Sequence, residues 1–372
     1  MSLSYVEVNG AHLRHNARSL KALTHQGQSV VAVVKANAYG HGLREVVNSI
    51  DSEVEAFQVD DIEELRELRS LTKKTALVLG YVPRCELEEA LRLNADLGVF
   101  DREHLSWVGE VARRSGLTAR VHLKIDALLG RLGVLPERAS ELVEEAQKWP
   151  ELQIESAYAH FGNIEDTTDL GHATAQAEAF SVAFECLKGA ISGLKRHMSA
   201  TSGLLTMEQL PNRQNALVRL GIGIYGMYPS AALARTHNHL DLKPALRWVS
   251  HLSQVKEVPA KYPVGYGLTY ITGHPMRIGI VPQGYSDGFD RGLSNSGEVL
   301  VGGRRCPVIG RIAMNMFAVD LSCVEATRED EVVLLGDQGE QRITAEDMAA
   351  SLGTINYEIT SRLSALLPRV LL

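Results

Sequence analysis

The chain is poor in cysteine. Four residues among 372, Cys85, Cys186, Cys306 and Cys323, form no C-x-x-C pair and no metal-ligand spacing. That excludes a disulfide-built secreted scaffold and a zinc ribbon, and points to free thiols in a reducing compartment, with a cytoplasmic location expected. Long apolar runs are missing too: nothing approaches the ~20 residues that span a bilayer. The opening MSLSYVEVNG has no basic stretch leading into an apolar one, so no signal peptide is read. An excess of positive charge is absent. The net charge of −7 argues against a general nucleic-acid binder, and no block of like charges forms a tail or arm. His237 and His239 are spaced like a metal pair but lack nearby partners, so they read as surface residues and no metal is expected.

What is present is apolar content of 45%, ample for a sizeable core, in a length that suggests two domains. Short apolar runs alternate with amphipathic stretches through the first two-thirds. The runs lie near 30–36, 56–59, 75–81, 97–100, 118–125, 152–161, 195–199 and 217–222. Between them, REHLSWVGEVARRSG repeats Leu105, Val108, Val111 and Ala112 at helical spacing. Strands that are apolar throughout suit a parallel sheet covered on both faces. Eight of them, each followed by a helix, predict an α/β fold with a (β/α)8 TIM-type barrel over residues 10–240. An open doubly wound sheet is the competing reading. After about residue 240 the helical period fades, and strand-like pieces such as MRIGIVP, GEVLVGG, CPVIGRI, MFAVDL and DEVVLLG alternate with turn signals. This predicts a mainly-β second domain over 241–372, with a helix starting at Thr344 and a capping box to Asp347.

In a barrel the working groups stand at the C-terminal ends of the strands. There the first run, VVAVVKANAYGHG, finishes on Lys35, followed by Tyr39 and His41 between glycines. An ordinary lysine at a strand end snorkels into solvent. A desolvated one has a lowered pKa and can form a Schiff base, which makes a carbonyl cofactor such as pyridoxal phosphate a candidate. Other strand ends carry Lys124 and Arg131, His160, the hydroxyls Ser199, Thr201 and Ser202, and Arg219 with Gly221 and Ile222. Singly, each has a structural explanation: a satisfied core histidine, a helix cap. Together, at five strand ends, they suggest a site. GIGIYG matches G-x-G-x-x-G but comes too late in the chain, with no acid downstream, for a dinucleotide fold. Its glycines instead admit an anion to backbone N–H groups, as phosphate sites on the last barrel loops do.

The motifs VVKANAYGHG, RLGIGIYG, VGYGLTY, PQGYSDG, GRIAMNMFAVDL and INYEITSRLSALLPR occur in this order along nearly the whole chain. In this the sequence resembles the bacterial alanine racemases. The resemblance implies a fold-type III pyridoxal 5'-phosphate enzyme. It would interconvert L- and D-alanine by a two-base mechanism and supply D-alanine for peptidoglycan. The β domain would also take in residues 1–9, and two copies would form a head-to-tail homodimer with shared sites. Lys35 would hold the cofactor and act as the base for D-alanine. Tyr266, from the other subunit, would be the base for L-alanine. Tyr39, Ser202, Gly221, Ile222 and Tyr357 would bind the phosphate. Arg219 would face the pyridine nitrogen, with His160 beside the ring and hydrogen-bonded to Arg219. Arg131 would contact the phenolic oxygen and the substrate carboxylate, and Met314 would offer its backbone N–H to that carboxylate. Lys124 matches a position often N-carboxylated. Three places depart from the family pattern: Ala127-Leu128-Leu129 replaces Thr-Gly-Met, Ala313 replaces a cysteine and Asn315 an aspartate. Rival readings are a serine or broad-specificity racemase, a non-catalytic pyridoxal-phosphate carrier, which would lack the second domain, and a decarboxylase of basic amino acids.

Overall fold

A computed structural model describes residues 3–165, 167, 169–209 and 215–372. The chain divides into two compact units. One comprises residues 13–36 and 47–243, the other residues 1–12, 37–46 and 244–372.

The first unit is built on eight parallel strands in sequential order, Ser29–Val33, Ala56–Val59, Thr75–Val78, Ala95–Val99, Ala119–Lys124, Leu152–Tyr158, Lys195–His197 and Leu217–Leu220. The first strand pairs with the eighth, Val31 opposite Arg219. Between seventh and eighth, Ala216 N–H donates to Arg196 O at 2.9 Å and Arg219 N–H to Ser199 O at 3.0 Å. The ring is thus nearly closed, and the doubly wound alternative falls away. Val30, Ala32, Phe57, Val78, Val99, Val121 and Leu220 are all buried, as expected for strands covered on both faces. The helices between them follow their caps. Asp61 accepts from Glu64 N–H at the head of Ile62–Leu71, and Asp101 from His104 N–H at the head of Arg102–Ser115. Arg102–Ser115 buries Leu105, Val108, Val111 and Ala112 and ends on Gly116 in the left-handed region.

The second unit carries a largely antiparallel sheet. Its strands run in the order Gln254–Val258, Met276–Val281, Phe317–Asp320, Arg304–Ile309, Glu298–Val301, Glu331–Gln338, Leu246–His251, Tyr5–Val8 and Arg369–Leu371, with Gln341–Ile343 pairing Glu331–Gln338. Tyr5–Val8 runs antiparallel to Leu246–His251 and parallel to Arg369–Leu371. Trp248, Phe289 and Phe317 form the aromatic part of its core, with the Phe rings stacked 4.4 Å apart. Helix Ala345–Leu352 opens on the full Thr344–Asp347 capping box. All four cysteines are free, and the sulfurs of Cys306 and Cys323 lie 4.0 Å apart. No described helix is long and apolar enough to cross a membrane.

Candidate active site

Lys35 follows the first barrel strand by two residues. Its side chain is 42% exposed, and Nζ lies 3.2 Å from Asp60 Oδ1. The amine is therefore ion-paired and half in solvent, where the sequence suggested a desolvated one. From Lys35 to Tyr39 the chain makes a helical turn in which Ala36, Asn37, Ala38 and Tyr39 have φ of +52 to +53°. Four consecutive L-residues in the left-handed region are costly, about 1–2 kcal/mol each. The flanking groups compensate. Glu64 accepts from Ala36 N–H at 2.5 Å and Asp60 N–H at 2.9 Å. Asn37 Oδ1 accepts from Leu43 N–H at 2.9 Å, and Asn37 O from Gly42 N–H at 3.0 Å. Gly40 closes the turn at φ +83°; a Cβ there would sit 1.9 Å from Thr360 O. Spacing and composition carry no sign of this handedness.

Seven further candidate residues lie in the barrel unit. Lys124, the last residue of the fifth strand, is buried with Nζ over the Tyr158 ring, 4.7 Å from its centroid. Burial first, then Arg219 and Arg131, push its amine well below the usual lysine value. Arg219 is buried within the eighth strand. It donates to His197 Nδ1, to Ala159 O at 3.0 Å, to Met198 O at 3.2 Å and to His160 Nδ1 at 3.4 Å. Burial lowers it to about 10. His160 is half-buried; desolvation, then Arg219, Lys124, Arg131 and Lys35, keep it neutral, well below the histidine range. Arg131 is exposed on the loop after Asp126, whose carboxylate accepts from Leu129 and Gly130 N–H at 3.0 Å each. Ser202, near the start of Thr201–Leu205, donates to Glu165 at 2.7 Å. Gly221 and Ile222 open the short turn Ile222–Tyr225, whose Tyr225 hydroxyl donates to Val33 O at 2.7 Å.

The second unit holds the remaining candidates. Tyr39 and Tyr357 have ring centroids 6.1 Å apart. Tyr266 is 73% exposed, flanked by Gly265 and Gly267 at φ +74° and +73°. It lines a cavity of 760 Å³ with Tyr285, Arg311, Met314 and Asn315. Met314 O accepts from Ser286 N–H at 3.1 Å and its hydroxyl at 2.8 Å, and Asn315 reaches the same hydroxyl. Among the described residues, no cluster of His, Cys, Asp or Glu is placed to hold a metal.

Four cations acting on one neutral histidine define what the barrel mouth can hold. Lys35, Lys124, Arg131 and Arg219 favour a ligand with more than one anionic group, and the Lys35 amine offers a nucleophile to a carbonyl. Pyridoxal phosphate, an anionic aldehyde, fits that donor set. The sequence did not flag Asp60, Glu64, Tyr158 or His197 as part of this arrangement. For Tyr158 and His197 the advance signal was a polar residue within a barrel strand, whereas Asp60 and Glu64 lie outside the strands and carried none.

A nearly closed parallel barrel with a lysine at its first strand end, joined to a mainly-β unit, defines an α/β-barrel enzyme class. The comparisons narrow it. Residues 8–229 match the family model described as alanine racemase, N-terminal domain, and residues 245–371 the C-terminal domain of the same family. An alanine racemase of Carboxydothermus hydrogenoformans is 40% identical over 369 residues, covering 98% of both chains. One of Methanococcus maripaludis is 32% identical over 372 residues, covering 99% of this chain and 98% of that one. The crystal structure of alanine racemase from a D-cycloserine-producing Streptomyces lavendulae superposes with a TM-score of 0.93 at 34% identity, over 100% of this chain and 97% of that one. The chain belongs to the alanine racemase family.

Proposed function

We propose that this chain is a pyridoxal-phosphate-dependent racemase that interconverts L- and D-alanine in the cytoplasm and supplies D-alanine for peptidoglycan. Residues 10–240 would bind the cofactor, and residues 1–9 and 241–372 would bring the second base. The observation that carries this reading is the placement of Lys35 two residues past the first barrel strand and of Arg219, 3.4 Å from His160 Nδ1, in the neighbouring eighth strand.

Pyridoxal phosphate, when bound, supplies an electron sink that acidifies the Cα–H of an attached amino acid. The protein's residues do the rest. Lys35 would hold the cofactor through its amine and, once freed, would take or return the Cα proton on one face. Tyr266 Oη does the same on the other face. Removing the proton at one base and returning it from the other inverts the centre. Lys35 serves D-alanine and Tyr266 L-alanine. Arg219 is a donor only, so it would face a ring nitrogen as a hydrogen-bond donor and supply no carboxylate to keep that nitrogen protonated. Tyr39, Ser202, Gly221, Ile222 and Tyr357 would hold the phosphate. His160 would lie beside the ring, and Arg131 and the Met314 N–H would orient the substrate carboxylate. The exposed apolar side chains of Tyr266, Leu268, Ile271, Met314 and Met316 support a homodimer, arranged head-to-tail so that Tyr266 serves the partner's site.

The test is borohydride reduction of the protein with cofactor, followed by peptide mapping. A pyridoxyl group on Lys35, lost together with racemisation in Lys35→Ala, is expected. Attachment at another lysine would overturn the assignment. A screen across L-amino acids, with alanine fastest, separates this reading from a serine racemase.

A further inference from the structure

Behind Arg219 runs a line of polar side chains through the interior of the barrel. His197 and Ser156 are fully buried, His122 is 3% exposed and Asp96 4%. A guanidinium only donates, so the His197 Nδ1 that faces Arg219 is a lone pair, and the ring proton sits on Nε2. That nitrogen lies 2.9 Å from Ser156 Oγ. The serine accepts there and gives its own proton to His122 Nδ1, 2.5 Å away. A longer direct approach from His197 Nε2 to His122 Nδ1, 3.4 Å, runs in the same sense. The His122 proton is then on Nε2, 3.4 Å from Asp96 Oδ2. Asp96 also accepts from Arg120 Nε at 2.6 Å on its other oxygen.

The two ends determine the direction. Arg219 cannot accept and an ionised carboxylate cannot donate, so with both imidazoles neutral every group between them has one permitted proton position. Each buried donor in the chain is satisfied only in that arrangement.

We infer that Asp96, His122 and Ser156 are positioning residues for Arg219: they hold His197 as an acceptor facing the guanidinium and link that buried cation to a carboxylate near the N-terminal ends of the strands. None of the side chains named as Arg219's partners is a carboxylate, and Lys124 and Arg131 add positive charge on its other side. Among the described contacts, the relay links the guanidinium to a carboxylate. Its polarity is consistent with the titration of its members. Burial and then Arg219 hold His197 neutral, while bonds from His122 and Arg120 keep Asp96 ionised against its burial. Among described groups Tyr158 also touches the relay: its ring stacks on His197 at 5.0 Å.

The inference rests on Arg219 facing the cofactor ring, so its test has one arm independent of catalysis. Long-range ¹H–¹⁵N NMR of the purified protein reads the protonation of each imidazole nitrogen, with His122→Gln and His197→Gln supplying assignments. Each ring is expected to carry a proton on Nε2, with the His197 Nδ1 a lone pair. In the isosteric Asp96→Asn the fixed acceptor is lost, and His122 is expected to divide between tautomers. In the catalytic arm, Ser156→Ala is expected to lower kcat about tenfold with KM for alanine changed less than about twofold, and Ser156→Thr, which keeps the hydroxyl, to recover most of the loss. A proton on Nδ1 of either ring in the unmodified protein would overturn the relay. So would an unchanged kcat in both Ser156→Ala and Asp96→Asn. Absence of racemisation in the unmodified protein would instead sink the functional reading and leave the NMR result standing.

Discussion

Lys124 Nζ sits over the face of Tyr158, and the Arg219 guanidinium carbon lies 5.6 Å from the centroid of the same ring. Two cations against one buried ring is an unfavourable grouping unless one gives up its charge. Desolvation by burial, with Arg219 and Arg131, lowers the Lys124 pKa. A neutral amine attacks carbon dioxide: the N–C bond forms, a proton leaves nitrogen, and a carbamate anion replaces a would-be cation between two arginines. With ¹³C-labelled bicarbonate, a carbamate resonance is expected in the unmodified protein and not in Lys124→Ala. That variant is also expected to lose about tenfold or more in kcat/KM, because Arg131 loses its anionic neighbour. No carbamate signal, with an unaffected rate in the variant, would leave Lys124 as a packing residue.

His41 gives the fold a pH dependence. It is fully buried, its Nδ1 lies 3.1 Å from Tyr39 O, and burial lowers its pKa from 6.5 to about 4. Below pH 6.5 the unfolded chain binds a proton that the folded chain refuses until about pH 4, so stability is full above that window and falls as pH drops through it. The loss reaches about 3 kcal/mol from this residue. His160 and His197 act in the same direction. Urea denaturation at pH 7.5, 5.5 and 4.5 is expected to show the decline, and His41→Gln to show a shallower one. An equal slope in the variant would remove His41 from the account.

Leu128 stands at φ +60° and is 54% exposed, in the turn where Asp126 accepts from Leu129 and Gly130 N–H. Little packing opposes the strain of a left-handed leucine. Leu128→Gly, which puts a glycine where the family pattern usually has one, is expected to raise stability by about 0.5–1 kcal/mol, the left-handed penalty less the entropy of glycine. A calorimetric Tm that falls would show that the leucine makes contacts worth more than its strain.

Most of the barrel strands were readable because a strand buried on both faces must be apolar along its length; the seventh, Lys195–His197, is polar and was legible only from its place in the alternation. Their order then followed from the alternation with helices. The Thr344–Asp347 box was readable because a cap is local. The site was readable only as a set of polar residues at strand ends. Its internal connections were not. That Ser156 bridges His122 and His197 depends on the register of three neighbouring strands, which no single run encodes. The left-handed turn after Val33 was hidden for another reason: Ala36 and Ala38 have no preference for that conformation, and the group that binds the Ala36 N–H, Glu64, is distant in sequence. The same holds for Lys35, whose pairing with Asp60 joins the ends of two strands 25 residues apart.

The sharing of a site between two copies can be tested without a structure of the dimer. Lys35 belongs to the barrel unit and Tyr266 to the β unit. If the copies associate head-to-tail, each site takes Lys35 from one and Tyr266 from the other. Lys35→Ala and Tyr266→Phe are each expected to be nearly inactive alone. When the two are mixed in equal amounts and allowed to exchange subunits, about half of the dimers are hybrids. In a hybrid, one site has lost both bases and the other has both intact. Activity is therefore expected to return to roughly a quarter of the unmodified level. If both bases came from one chain, every hybrid site would lack one of them and nothing would return. Hybrids shown by native mass spectrometry but without recovered racemisation would rule out the shared site, whereas recovery would place the Tyr266 phenol opposite the partner's Lys35.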